Sequence, residues 1–583
     1  MCSIIAYAGN NTAAPILVKG LKRMEYRGYD SVGIATIAKK KMLVRKAVGK
    51  VDEVNKALHL EKMYGCVGIG HTRWATHGDV TDRNAHPHQN CKNDIAIVHN
   101  GIVENYNVLR RSLIAKGHKF KSETDSEVIA HLLSEFLAKT RDIKKSMINV
   151  AKKLTGAYAF VVILNDGTLA GVRYDEPLIV GVARDGYYIA SDVLGFIEHT
   201  DKAIFLDNHE IVIIDSNGLV IYDSKGHEIK KRPTQIAWEL ADVDKGKFAH
   251  HTLKEINEQK HTIMRAFSVP RLELQEFVKS LVSSKKVLIT GSGSSYNAAL
   301  LAKQLFSRFC NIQSEAIVAS EFHKSLLTKG TTLIAISQSG ETADVLRVVK
   351  EVKASKVRVL SLVNVTTSSL ARASDLYLCL NCGPEIGVAA TKSFTAQLAV
   401  IYKIVSEFSP NFHVNVDGLE KSVSNVLNNT NNIGKIAERL KQVGNIYVLG
   451  RGLHFPIALE AALKLKELVY VHAEGMPAGE LKHGPLALID ENTIVIILNP
   501  GDDTYDDMLS SIHEIKARRA TVIGVSNVYN NTFDELIKIP KTNEALYPIL
   551  EVIPLQLLAY HMALKRESNP DYPRNLAKSV TVK

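Results

Sequence analysis

The chain has 583 residues, of which 46% are hydrophobic and 23% charged, with a formal net charge of +11. At roughly 100 to 200 residues per domain this length predicts three to five folded units, and the composition excludes a disordered chain. Lys and Arg are dispersed and form no basic run with interleaved aromatics, so no nucleic acid is expected as partner, and small anionic substrates account for the charge.

The six cysteines are sparse and no charged, apolar leader opens the sequence, so a reducing, cytoplasmic setting is expected, without disulfides. The most apolar late segment, 546–564, is interrupted by Glu551, Gln556 and His561. It therefore predicts a buried helix and no membrane span.

Residues 1–240 read as short strands with turn signals, such as 158–164 before Asn165-Asp166-Gly167 and 186–190, mixed with helices predicted over 13–26 and 126–139, the second capped by Asp125. This is an α+β pattern. Residues 241–265 read as a linker leading into a helix. Beyond it, apolar β-branched runs alternate with long helical stretches, the signature of parallel strands with crossover helices. A repeat is visible there. Residues 286–293 match 445–452, 332–337 match 493–498, 357–363 match 521–526 and 390–407 match 545–565, at an offset of roughly 160 residues that marks duplication of one doubly wound domain. The expected division is 266–425 and 426–570 for the two copies, with 571–583 as a tail too apolar, at Leu576 to Val582, for a loose end.

If Met1 is removed, Cys2 carries a thiol and a free α-amino group. An amine of pKa about 7.7 to 8.0 can take the thiol proton near neutrality without a separate histidine. Three stretches could serve such a nucleophile: Gly70-His-Thr-Arg-Trp-Ala-Thr-His-Gly78, His99-Asn-Gly-Ile-Val-Glu-Asn105 and Glu123-Thr-Asp-Ser-Glu127. Arg73 offers a fork for a carboxylate, Asp125 a partner for an ammonium, and Asn100 with the Gly101 amide a cradle for an oxyanion, a set that fits an amino-acid amide.

These residues resemble the class II, N-terminal-nucleophile (Ntn) glutamine amidotransferases, and Arg27-Gly-Tyr-Asp-Ser31 matches their aminosugar-forming branch. The resemblance implies an αββα fold for the first domain, with Cys2 as nucleophile, Arg73, His77 and Asp125 holding glutamine, Asn100 and Gly101 forming the oxyanion hole, and Trp74 gating ammonia. The histidines at 71, 77, 86, 88 and 99 lack a compact ligand spacing, so no metal is expected from them. Cys379 and Cys382 form a lone CxxC that reads as structural thiols.

In the second part, Gly291-Ser-Gly-Ser-Ser-Tyr296 joins a strand to a helix whose amides favour an anion, but the third glycine of a dinucleotide fingerprint is absent. Ser337-Gln-Ser-Gly-Glu-Thr342 and residues 364–369 follow the next two strands. Three hydroxyl-rich loops at one edge of a parallel sheet predict a sugar-phosphate site. They are similar to the sugar isomerase (SIS) domain, and residues 385–392, 460–467, 479–484 and 574–582 extend the likeness to the family of glucosamine 6-phosphate synthases. That resemblance implies two α/β doubly wound parallel-sheet SIS domains, with Ser294, Ser295, Ser337, Gln338, Ser339, Thr342 and Val388 on the sugar phosphate. It assigns ring opening to His483, a Schiff base to Lys578 and the proton shuttle to Glu467 with Lys464. Lys464 and Glu467 share a helix face, a spacing equally met by a surface ion pair. The implied substrates are L-glutamine and D-fructose 6-phosphate, with no PLP, metal or nicotinamide cofactor, and the implied assembly is a homodimer. A different phosphosugar acceptor and a non-catalytic sugar-phosphate sensor are the alternatives. The chain departs from the family pattern at Ser3, Ser292, His251, Ala390 and Lys583.

Overall fold

A computed structural model describes residues 2–75, 77–236, 240–429 and 431–581. It divides into two compact units, one running to Asp242 and including the tail from Ser579, the other Val243–Lys578.

Among the described residues the first unit holds an eight-stranded and a six-stranded sheet, both antiparallel. In the larger sheet the strand Ser3–Gly9 lies between Gly186–Ala190 and Val67–Arg73, and in the smaller one Ile95–Gly101 pairs with Tyr158–Leu164. Period-two alternation decides the layers. Ile4, Ala6 and Ile69 of one sheet meet Ala96, Val98, Val161 and Ile163 of the other in a dry interior. Their neighbours Ile97, Phe160 and Val162 point the opposite way, onto Val128, Ile129, Leu133, Met147 and Val150 of the helices Glu127–Thr140 and Ile143–Lys153. On the far face of the larger sheet the helix Ala13–Arg23 packs closely at Gly20, where a Cβ would fall 2.2 Å from Ile5 Cδ1. The result is an αββα sandwich.

The second unit contains two five-stranded parallel sheets among its described residues. In chain order the first comprises Lys286–Gly291, Ser314–Val318, Thr331–Ser337, Arg358–Val363 and Leu376–Cys379, and the second Asn445–Gly450, His472–Pro477, Ile494–Leu498, Thr521–Ser526 and Glu535–Lys538. Both have the spatial order 2-1-3-4-5, so the duplication read from sequence is a duplication of topology. Alternate residues again separate the faces: Val287 and Ile289 enter the large shared core and Leu288 the opposite layer, as do Val448 and Tyr447 in the second copy. The helix Tyr547–Lys565 is almost wholly buried in that core. The polar groups that argued against a membrane span find internal partners, Gln556 accepting from Gln259 at 2.8 Å and Glu551 facing His454 at 2.9 Å.

Two local expectations are corrected. Residues 251–265, assigned to a linker, belong to the helix His251–Phe267, whose Ile256, Ile263 and Phe267 are core residues. Asp125 does not cap the next helix, which starts at Glu127. Its buried carboxylate instead accepts the Val103 N–H at 2.8 Å.

Candidate active sites

In the first unit Cys2 precedes the central strand of the larger sheet, and its Sγ accepts the Trp74 N–H at 3.3 Å. Burial pushes the thiol pKa up, against the pull of that N–H and of Arg73. Around it the described residues build a fixed frame. Asn100 Nδ2 donates to the Cys2 carbonyl at 3.0 Å, and the Arg27 Nε donates to the same oxygen at 3.3 Å. Gly101 adopts φ +100°, and a Cβ there would lie 2.1 Å from the Ala157 carbonyl, so the strand end beside Asn100 requires glycine. Ser3 is buried with its hydroxyl on the Met24 carbonyl at 2.7 Å.

Arg73 ends its strand buried, with its guanidinium holding the carbonyls of His77, Gly78 and Asp79 and within electrostatic reach of Cys2, Asp30 and Asp125. The structure thus gathers Cys2, Arg73, Asn100, Gly101 and Asp125. His77 stands on the loop that Arg73 fixes, its ring edge-on to Tyr106 at 5.5 Å.

Two contributors had no role in the sequence reading. His71 Nε2 donates to the His99 carbonyl at 2.9 Å and lies 3.2 Å from Asn100 Oδ1, which orients the Asn100 amide toward Cys2. With that proton on Nε2, His71 Nδ1 accepts from His86 Nδ1 at 3.1 Å. The second is Arg27, whose signal was the motif at 27–31.

Burial holds the His71 pKa down at about 3 and lowers those of His86, His88 and His99 as well. These rings stay neutral in the folded unit, while in the unfolded chain they take protons near 6.5. Below that pH the unfolded state binds more protons, so stability is intact above pH 6.5 and falls as the pH drops toward 3. Calorimetry across this window is expected to show the unfolding temperature of this unit descending with acid; a flat profile would contradict it.

The tail also contributes here. Thr581 donates to Glu176 at 2.8 Å within this unit, and burial lifts the Glu176 carboxyl to about 7.

In the second unit the loop after Lys286–Gly291 and the loop after Thr331–Ser337 flank the point where the first sheet reverses its strand order, the crevice in which open α/β sheets bind ligands. The first leads into the helix Ser294–Cys310. In the second, Ser337 Oγ accepts the Gly340 N–H at 3.0 Å and lies 3.2 Å from Thr342 Oγ1, while the Ser339 hydroxyl accepts the Glu341 N–H. Gly340 has φ +66°, and a Cβ there would sit 2.1 Å from Ser368 Oγ, so the Ser337–Thr342 loop and the loop at 364–369 do converge. Gln338 accepts the Asn364 N–H through its carbonyl.

Lys464 and Glu467 lie on the helix Phe455–Val469, and the pair is not a surface one. Lys464 is 1% exposed, with its Nζ 2.6 Å from Glu467, 3.3 Å from Glu460 and 3.2 Å from Ser294 Oγ. Glu460 in turn accepts from Ser294 and Asn297, each at 2.8 Å. The helix of the second copy therefore completes the Ser294 loop of the first, whereas Ser295 is held by Gln397 at 3.0 Å.

Lys578 pairs with Glu385 at 2.5 Å and donates to the Gly387 carbonyl at 2.7 Å, one residue before Val388. Burial alone would raise the Glu385 pKa, but Lys578 and the Ser393 hydroxyl and amide hold it well below the carboxylate range. Glu385 and Glu460 were present in quoted motifs but had no assigned role. His483 is exposed at the end of the turn Ala478–His483, and among the described residues its ring has no hydrogen-bond partner.

The equivalent edge of the second copy is built differently. His454 Nε2 lies 2.6 Å from Asp502 and Nδ1 2.8 Å from Glu551, all three buried. Burial would lower the His454 pKa, but the Glu551 and Asp502 carboxylates raise it to about 10. Its contribution to stability is fully present below pH 6.5 and is lost as the pH rises toward 10. His454→Gln, which strands two buried carboxylates, is expected to cost about 3–5 kcal/mol, read as a lowered denaturation midpoint; an unchanged midpoint would show the triad to be dispensable.

Comparison with known proteins matches parts of both units to recognised families. The glutamine amidotransferase domain family matches residues 71–197 and the SIS domain family residues 280–406 and 439–566. Glutamine–fructose-6-phosphate aminotransferases (isomerizing) of Pyrococcus horikoshii and Aquifex aeolicus are 42% and 43% identical to the chain, each over the full length of both sequences. The solved C-terminal domain of the glucosamine-fructose-6-phosphate aminotransferase of Francisella tularensis is 31% identical, covering 56% of this chain and 99% of that one, with a TM-score of 0.51. Fold and family matches define a glutamine amidotransferase domain joined to a pair of SIS domains. The chain belongs to the family of glutamine–fructose-6-phosphate aminotransferases (isomerizing).

Proposed function

We propose that the chain converts L-glutamine and D-fructose 6-phosphate into L-glutamate and D-glucosamine 6-phosphate, using Cys2 on the amide and Lys578 on the sugar. The Cys2 thiolate adds to the glutamine carbonyl, and the oxyanion is met by Asn100 Nδ2 and the Gly101 amide. Collapse expels ammonia, and water hydrolyses the thioester. Arg73 and Asp125 hold the carboxylate and ammonium of glutamine beside His77.

Fructose 6-phosphate rests its phosphate on the hydroxyls and amides of Ser294, Ser295, Ser337, Gln338, Ser339 and Thr342, with Val388 against the sugar. After ring opening by His483, the Lys578 amine condenses with the C2 ketone and releases water. Ammonia, passed internally by Trp74, displaces the lysine, and Glu467, held by Lys464, moves the proton from C1 to C2. The iminium nitrogen takes up the electron pair released when C1 loses its proton, the part that such chemistry otherwise leaves to a cofactor. A homodimer in the cytoplasm belongs to the same proposal.

The observation that carries this reading is the buried Lys578–Glu385 pair, which holds an amine beside Gly387 and Val388. Incubation with both substrates is expected to yield glucosamine 6-phosphate and glutamate in equal amounts. Glutamate formed with no aminosugar, in the presence of saturating fructose 6-phosphate, would refute it.

A further inference from the structure

Cys91, His118 and His131 come together in the first unit from three separate segments: the turn after His88–Gln89, the stretch beyond the helix Tyr106–Ala115, and the helix Glu127–Thr140. Their ligand atoms all lie within 4.8 Å of one another, with His118 Nδ1 3.0 Å from His131 Nδ1 and Cys91 Sγ 3.8 Å from His131 Nδ1. A tetrahedral zinc with bonds of about 2.0–2.1 Å to nitrogen and about 2.3 Å to sulfur needs ligand separations of roughly 3.3–3.6 Å. The cluster brackets those values.

The surroundings point the same way. His131 Nε2 faces Glu127 at 3.4 Å and His118 Nε2 faces Glu135 at 3.6 Å. A carboxylate beside the outer nitrogen, within hydrogen-bond distance at His131 and just beyond it at His118, favours the proton on Nε2 and a lone pair turned inward from Nδ1, the arrangement that orients metal-bound histidines. The two Nδ1 atoms, 3.0 Å apart, are bridged either by a shared proton or by a cation between two lone pairs, and metal uptake decides between them. Glu127 is itself fixed by the Ser122 hydroxyl and by the Lys121 and Ser122 amides, and Phe120 packs 4.4 Å from the His131 ring. The sulfur accepts the Lys119 N–H at 3.3 Å, as a thiolate ligand does. Cys91 is exposed, which admits a water as fourth ligand.

We propose that Cys91, His118 and His131 bind a zinc ion in a site distinct from both catalytic centres, tying together the segments on either side of Asp125. One thiolate and two imidazoles select a zinc-class ion over magnesium or calcium. The protein stripped of metal is expected to take up one equivalent of cobalt(II) per chain with sulfur-to-cobalt absorption in the near ultraviolet, displaced by zinc. Cys91→Ser, a conservative change at an exposed position, should abolish that band, whereas Cys66→Ser, at another exposed thiol of this unit, should leave it intact. Glu135→Gln should weaken zinc binding by about 10- to 100-fold. Failure to bind one equivalent, or a band that survives in Cys91→Ser, would overturn the site; unaltered affinity in Glu135→Gln would remove the tautomer argument on which it rests.

Discussion

Replacing Cys2 by alanine is expected to abolish glutamine hydrolysis, with a fall in kcat on the order of 10⁴-fold or more, as when other enzymes lose their covalent nucleophile. The frame around the residue predicts that the loss is chemical and not structural. Asn100 and Arg27 bind the backbone carbonyl of Cys2, which alanine keeps, and the sulfur's own partner is the Trp74 backbone. Fructose 6-phosphate binding should be unchanged, because Ser294, Ser337, Lys464 and Lys578 all belong to the second unit. Isothermal titration with the sugar phosphate checks this, and joint loss of sugar binding and glutaminase activity would contradict a two-site enzyme.

Lys578→Ala is expected to remove aminosugar synthesis and, with it, the trapping of fructose 6-phosphate by borohydride. Here a control is needed, because Lys578 neutralises Glu385, which is buried and ionised. Leaving that carboxylate alone costs about 3–5 kcal/mol, so loss of activity in the alanine variant could reflect unfolding. Lys578→Arg separates the effects: guanidinium retains the positive charge for Glu385 but does not deprotonate to attack a ketone. The arginine variant should unfold near the parent temperature, yet trap no sugar. Undiminished trapping in a folded Lys578→Arg protein would assign the imine to another lysine.

Much of the second unit was legible in the sequence because its signals are local. The strands at 286–291 and 445–450 and their following glycines repeat in order, and parallel topology follows from apolar runs spaced by helices. Strand Tyr158–Leu164 was equally clear from its turn. What could not be read is pairing over long distance. The partnership of Ser3–Gly9 with Gly186–Ala190 spans most of the first unit, and that of Lys578 with Glu385 spans 193 residues. Burial was hidden for a related reason: the three-residue spacing of Lys464 and Glu467 fixes a shared helix face but not what covers it, which proved to be Ser294 of the other copy. The clusters His71–Asn100 and Cys91–His118–His131 likewise join residues that show no ligand-like spacing along the chain.

Because the account makes one enzyme of two sites, it is tested most directly by following the nitrogen. Mass spectrometry of the aminosugar formed from amide-labelled glutamine and fructose 6-phosphate, in excess unlabelled ammonium, should show the label retained in full. Product carrying mostly unlabelled nitrogen would contradict direct passage from Cys2 to the sugar.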